Sequence, residues 1–252
     1  MNSNQTVSGT VTLAFFLTIF ISILLLPAAA NAQMFSIGDL SDQQQPNPPG
    51  IYTIAGFSWE PASFSFQGSG IPLSERVDFD DPVLRFRLET PGLEISLGLG
   101  GELTGMDDTS FTNVTARILN PFFIYRKEKL NVFLPVQLTT DLTRVRQADT
   151  PFEFQQSSFI IGSGIGSSVR LGERLDFTLR ATPNYGFSFS QGNLFGGSLF
   201  RFDGKSYLVI RNVIGRRSLA LGYHFDFRRY DVEEELNDYD YTSHSFTLGI
   251  AF

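Results

Sequence analysis

One parity of the stretch Leu175–Phe189 holds Leu175, Phe177, Leu179, Ala181, Pro183, Tyr185, Phe187 and Phe189; the other holds Asp176, Thr178, Arg180, Thr182, Asn184, Gly186 and Ser188. Only an extended strand keeps two such sets apart, because its side chains alternate between faces. A helix would scatter both around its circumference. The same period recurs in Leu130–Leu142, where Leu130, Val132, Leu134, Val136, Leu138 and Leu142 oppose Asn131, Gln137, Thr139, Asp141 and Thr143. Leu93–Leu103 sets Leu93, Ile95, Leu97 and Leu99 against Glu94, Ser96, Gly98, Gly100 and Glu102. In Leu219–Phe227, Leu219, Leu221, Tyr223, Phe225 and Phe227 stand opposite Ala220, Gly222, His224, Asp226 and Arg228.

Further strands are expected at Ile51–Phe66 (bulged near Glu60-Pro61), Val83–Glu89, Phe111–Tyr125, Phe152–Leu171, Ser198–Ile214 and Tyr239–Phe252. That makes about ten. Eight remain possible if Ile51–Phe66 or Ser198–Ile214 is misread, and twelve would require splitting the latter at Asp203-Gly204. One face of these strands is almost wholly Leu, Ile, Val and Phe; the other is rich in Gly, Ser and Thr punctuated by charges. A soluble sandwich needs the reverse balance, a large apolar interior beneath a polar skin. A transmembrane antiparallel up-and-down β-barrel places the apolar face in hydrocarbon and leaves no backbone edge unpaired.

Both ends of the chain point the same way. Val11–Leu26 is an apolar run followed by Pro27 and an A-x-A site at Ala30-Asn31-Ala32, so residues 1–32 read as a secretory signal and Gln33 as the first mature residue. Met1–Thr10 holds no Lys or Arg, which leaves an upstream start or an uncleaved anchor open. Residues 33–50 form a Pro- and Gln-rich leader, expected to be extended in the periplasm, and the barrel follows over 51–252. At the other end Phe246, Leu248, Ile250 and Phe252 alternate up to a terminal aromatic. This strand resembles the C-terminal signal that the barrel-assembly machinery reads in bacterial outer-membrane barrels. The whole is similar in architecture to small barrels of the OmpA/OmpX and PorT-like type. The resemblance implies export, insertion into the outer membrane and lipid as the surrounding partner. It transfers no functional residue beyond the terminal strand.

From a periplasmic start, the inner turns fall at Thr90-Pro91-Gly92, Arg126-Lys127-Glu128-Lys129, Gly172-Glu173-Arg174 and Gly215-Arg216-Arg217. The outer connections fall at 68–82, 105–109, 147–151, 191–197 and 230–238, longer and in several cases acidic, which is the asymmetry outer-membrane barrels show. The formal charge of −7 argues against nucleic acid as a partner.

The inward face is expected to carry Arg85, Arg87, Glu89, Glu94, Glu102, Arg117, Asp141, Asp176, Arg180, Arg201, Asp203, Asp226 and Arg228. A barrel of this size is narrow enough for side chains to fill, and unpaired buried ions cost several kcal/mol each, so Arg–carboxylate networks are the expected packing. The competing reading is a narrow channel for ions, small solutes or apolar molecules, in which these charges select. Catalysis would need a His–Ser constellation. His244 lies between Ser243 and Ser245, yet sequence neighbours point to opposite faces, and His224 reads as a lumen hydrogen-bonder near Asp226. A lipid-modifying enzyme is therefore the least favoured of three functions. The first is a non-catalytic barrel with a surface-loop or envelope-structural role, its loop partner unknown.

The loop acids Asp78, Asp80, Asp81, Asp107, Asp108, Asp231, Glu233, Glu234, Glu235 and Asp238 lack EF-hand spacing. They read as solvated loops; no metal site or cofactor is assigned. Trp59, Phe64, Phe66, Phe122, Phe123, Tyr125, Tyr185, Phe187, Phe189, Phe225, Phe227, Tyr239 and Tyr241 are expected in interfacial girdles. The alternative is an apolar-ligand site in the mouth with Phe195, Phe200 and Phe202.

Overall fold

The computed structural model describes residues 52–69, 76–148, 153–190, 197–232 and 237–252. The signal and leader, Phe195 and Glu233, Glu234 and Glu235 lie outside the described residues. The strands run β1 (Ile54–Phe66), β2 (Phe79–Glu89), β3 (Leu93–Gly100), β4 (Thr109–Arg126), β5 (Leu130–Gln147), β6 (Glu153–Ser163), β7 (Ile165–Arg170), β8 (Leu175–Ser190), β9 (Ser198–Ile214), β10 (Arg217–Asp231) and β11 (Tyr239–Ala251). Each pairs antiparallel with its neighbours, and β1 closes on β11 from Ile54↔Ala251 to Phe66↔Tyr239. Segments β6 and β7 both lie between β5 and β8, so eleven segments fill ten ring positions. Every strand is paired on both sides, so the ring leaves no free edge, although rungs are skipped at Leu134–Pro135 on β5, at Thr182–Pro183 on β8 and at Glu60–Pro61 on the β11 side of β1.

The outer wall is what hydrocarbon requires. Ile118 and Ile161 are each 62% exposed and Leu248 58% exposed, within a continuous band of exposed Leu, Ile, Val and Phe. Water does not tolerate an apolar surface on that scale in a lone soluble chain. Inward-facing Ser58, Asn113, Thr139, Asp141 and Arg228 are in contrast fully or almost fully buried.

Four expectations are corrected. Alternation survives through Glu60 and Pro61, with Glu60 inward and Pro61 outward, and the β1–β2 register is unbroken there, so there is no bulge. Strand β3 stops at Gly100, where a single 3-10 turn (Glu102–Thr104) begins; Gly105 at φ 95° then reverses the chain. Glu102 is consequently exposed at the outer turn and is not a lumen charge. Phe64, Tyr239 and Tyr241 are buried inside the barrel, Phe66 packs on that cluster, and Phe123 faces the lumen near the inner rim, so none of these five belongs to a girdle. Parity decides this: Phe64 shares the face of Glu60, and Tyr241 that of Ser243 and Ser245. Trp59, Phe122, Tyr125, Tyr185, Phe187 and Phe189 do face outward. Phe200 points outward as well, and Phe202 meets Phe225 on the same outer side, so neither lines the mouth.

Candidate functional site

The lumen holds three tiers. At the outer end Phe64 stacks on Tyr239 at 4.6 Å and packs on Phe154 at 5.0 Å and Phe79 at 5.8 Å, while Phe111 stacks on Tyr241 at 5.6 Å. Leu199, Val145, Val232 and Met106 complete this stopper. It arises because the inward parity turns apolar over the outer ends of β1, β2, β4, β6 and β11.

Beneath it lies a continuous lattice of charge. Arg85 grips Glu60 with two bonds of 2.7 and 2.8 Å, and the Tyr241 hydroxyl donates to the same carboxylate at 2.5 Å. Arg85 also donates to Asn113 Oδ1 at 2.7 Å, and Asn113 Nδ2 in turn donates to Asp141. Asp141 accepts from Arg228 at 3.0 Å, Thr115 at 2.6 Å and Thr143 at 2.8 Å. Asp226 takes Arg228 at 2.6 Å and Arg201 at 2.8 Å. Asp203 takes Arg117 at 2.9 Å, and Arg117 passes the chain of bonds to Glu94 at 2.7 Å. Arg87 completes the upper part, donating to Ser58, Glu60 and Ser245.

Cross-strand register explains this geometry. Asp226 lies directly opposite Asp203, Arg228 opposite Arg201 and Glu89 opposite Glu94. Like charges in that position repel. Each is relieved by a diagonal or trans-lumen partner: Arg201 reaches Asp226, and Lys205 on β9 bridges Glu89 and Glu94 at 2.9 Å each. The pairing is thus enforced across the barrel rather than along one hairpin, and it ties distant strands together.

The third tier is a vestibule of about 130 Å³ at the end of the lumen opposite the aromatic stopper. One wall carries Lys205, Arg180, Glu89 and Tyr207, and the other carries Leu119, Pro121, Phe123 and Phe133. Asp176 sits at this rim with Arg170 at 3.4 Å and a hydrogen bond from the Tyr52 hydroxyl.

Of the charges expected inside, Arg85, Arg87, Glu89, Glu94, Arg117, Asp141, Arg180, Arg201, Asp203, Asp226 and Arg228 join the lattice and Asp176 closes the rim. Sequence reasoning missed Glu60 and Lys205. Lys205 shares the parity of Arg201 and Asp203 and was findable that way. His224 bonds Asp203 at 2.7 Å rather than Asp226. His244 faces outward and accepts or donates at 2.8 Å with the Tyr223 hydroxyl. The terminal-strand residues Phe246, Leu248 and Phe252 are exposed outward, with Ile250 half-buried on the same face. Loop acids serve their own turns: Asp78 accepts from the Phe66 amide at 2.6 Å and Asp238 from the Val232 amide at 2.9 Å.

A closed ring, an apolar outer wall and a polar, paired interior together decide the class. The chain folds as a small outer-membrane β-barrel. No family model matches it, and no curated protein matches it by sequence. Similar solved structures include the outer-membrane protease OmpT of Escherichia coli, at 9% identity over 83% of this chain and 99% of that one, with a TM-score of 0.42. Ail, the attachment invasion locus protein of Yersinia pestis, is 12% identical over 80% and 99%, with a TM-score of 0.25. The toluene transporter TodX of Pseudomonas putida is 7% identical over 82% and 90%, with a TM-score of 0.26. A protease, an attachment protein and a transporter share this likeness, which carries no activity to the present chain.

Proposed function

We propose that the protein is a non-conducting, non-catalytic barrel of the bacterial outer membrane that acts through its surface loops and as an envelope-structural element. The observation that supports this is the seal: an aromatic stopper rests directly on a lattice of paired charge. Arg228 and Asp141 are fully buried, so neither is disposed to meet a passing solute. The chemistry of the histidines fits the same reading. His224 Nε2 is committed to Asp203, and His244 pairs with a tyrosine on the outer wall. In this reading the chain is exported by a signal segment that is cleaved after Ala32, the assembly machinery recognises the strand ending at Phe252, and lipid is the constant partner.

Planar-bilayer recording of refolded full-length protein tests this. Heat-modifiable gel mobility first certifies the closed barrel. A silent, folded barrel is expected. Discrete, reproducible channels would overturn the reading and make Arg85, Arg87 and Arg180 selectivity residues.

A further inference from the structure

The two rims of the barrel differ in charge. At the end opposite the stopper, the β4–β5 hairpin carries Arg126, Lys127 and Lys129. The β7–β8 hairpin carries Arg170 and Arg174, and the β9–β10 hairpin carries Arg211, Arg216 and Arg217. The carboxylates beside these eight cations are Glu128, Glu173 and Asp176. At the stopper end the balance reverses. Asp78, Asp80, Asp81, Asp107 and Asp108 stand there, and Arg144 and Arg229 are paired with Glu153 and Asp240.

Backbone pairing joins the three basic hairpin ends into one arc. The Arg170 amide donates to the Lys129 carbonyl at 2.8 Å, and the Arg211 amide donates to the Arg174 carbonyl at 2.7 Å. The arc therefore runs from β4 to β10 and stops at the β2–β3 turn, Thr90-Pro91-Gly92, which carries no charge. Arg170 and Arg211 turn in to Asp176, at 3.4 and 3.8 Å. The Arg126 guanidinium lies over the Phe123 ring at 4.0 Å, and that of Arg217 over Phe252 at 5.9 Å. Lys127, Lys129, Arg174 and Arg216 stay exposed, and no carboxylate pairs with them among the described residues. Cations gathered in this way repel one another, and an outside anion relieves the strain.

The height of the arc on the wall identifies the anion. Ile124 and Tyr125 precede Arg126, Leu171 follows Arg170, and Val213 lies between Arg211 and Arg216; all four are exposed. The cations thus sit where the apolar band ends, which is the level of the lipid headgroups. Cationic side chains at that level attract anionic lipid, over about one Debye length. We propose that the arc binds the phosphate groups of anionic phospholipids in the leaflet at the end of the barrel opposite the stopper, with Lys127, Lys129, Arg174 and Arg216 as the contacting cations. The acidic rim at the other end repels the same lipids, which makes the preference one-sided. The lumen takes no part, so this goes beyond the non-conducting reading and does not rest on it.

Refolded full-length protein in phosphatidylcholine vesicles at low salt is given spin-labelled phosphatidylglycerol or spin-labelled phosphatidylcholine. Electron paramagnetic resonance reads the share of each held at the protein surface. The wild type is expected to prefer phosphatidylglycerol by at least about three-fold. Combining Lys127→Gln, Lys129→Gln, Arg174→Gln and Arg216→Gln should bring the ratio close to one while heat-modifiable mobility is kept. Should that variant fail to fold, Lys127→Gln with Lys129→Gln decides the matter and should at least halve the excess. Arg146→Gln, which removes an exposed cation at the stopper end, should change nothing. No preference in the wild type, or a preference undiminished in the arc variants, would overturn the proposal. Loss of the preference in Arg146→Gln alone would do the same, by placing the lipid at the other rim. So would its loss in inorganic phosphate but not in sodium chloride of equal ionic strength, since the arc would then take free phosphate in place of lipid.

Discussion

The two ends of the lumen obey one parity rule and reach opposite outcomes. At the outer end the inward positions are Phe64, Phe79, Phe111, Phe154, Tyr239 and Tyr241, which seal by ring contact, with the Tyr241 hydroxyl also donating to Glu60. At the inner end the inward positions are Glu89, Glu94, Arg180, Lys205 and Tyr207, which must be paired and are paired across a vestibule. Aromatic packing fills space isotropically, whereas ion pairs fix distances and directions and leave gaps between them. A barrel filled in this way is sided: one end of its lumen is packed with rings, and the other keeps a vestibule of about 130 Å³ between its paired charges.

The largest effect is expected where the two regimes meet. Arg228→Ala leaves Arg201 as the one cation shared by Asp141 and Asp226 in a dry interior, and breaking a buried pair from one side costs about 3–5 kcal/mol. Urea unfolding in vesicles, followed by gel mobility, should show that shift; a cost under about 1 kcal/mol would mean that water reaches the lattice and that the seal is incomplete. Phe64→Ala removes the centre of the stopper at a cost of the same order, about 3–5 kcal/mol. Bilayers should remain silent in this variant, because the lattice still blocks the axis. Channels appearing on that substitution alone would show that the aromatic tier is the sole barrier and that the charged tier is permeable. Next comes the wall. Leu179→Arg places a cation in mid-bilayer lipid at about 2–4 kcal/mol, whereas Thr178→Arg points toward the roomier inner vestibule and should cost less. Equal tolerance would break the inside–outside assignment on which the whole comparison rests.

Much of this was legible from alternation alone. Alternation gives about ten strands with eight or twelve left open, the ring has ten positions, and parity alone places Arg85, Arg117, Asp141 and Arg228 inside. What escaped needed information from a second strand. Glu60 sits between Trp59 and Pro61, where a supposed bulge hides its phase, and only the unbroken pairing with β2 restores it. Glu102 has the right parity but lies beyond the end of β3, in a turn that alternation does not announce. Phe64 and Tyr241 have the chemistry of girdle residues and the parity of lumen residues, and parity prevails because a strand cannot rotate one side chain independently of its neighbours. The break between β6 and β7 at Gly164 is invisible along its own strand, since the prolines that face it by register, Pro135 and Pro183, belong to β5 and β8.

The smallest effect on stability is expected at the inner rim, and it separates folding from delivery. The Phe252 amide donates to the Thr53 carbonyl at 2.9 Å, its own carbonyl oxygen accepts from the Thr53 amide at 3.4 Å, and its ring is 40% exposed with the Arg217 guanidinium 5.9 Å away. Deleting Phe252 therefore removes two hydrogen bonds worth about 0.5–1.5 kcal/mol each and almost no core. Refolded in vesicles, the deletion variant should retain heat-modifiable mobility and lose only about 1–3 kcal/mol. Expressed in cells, the same variant should accumulate as protease-sensitive protein in the periplasm. A large loss in vitro would make the residue structural, a clamp on the β1–β11 seam. Normal insertion in cells would leave the terminal aromatic with no role in assembly. The expected split, intact barrel in the test tube and failed assembly in the cell, is what a residue read by a receptor produces and what a packing residue does not.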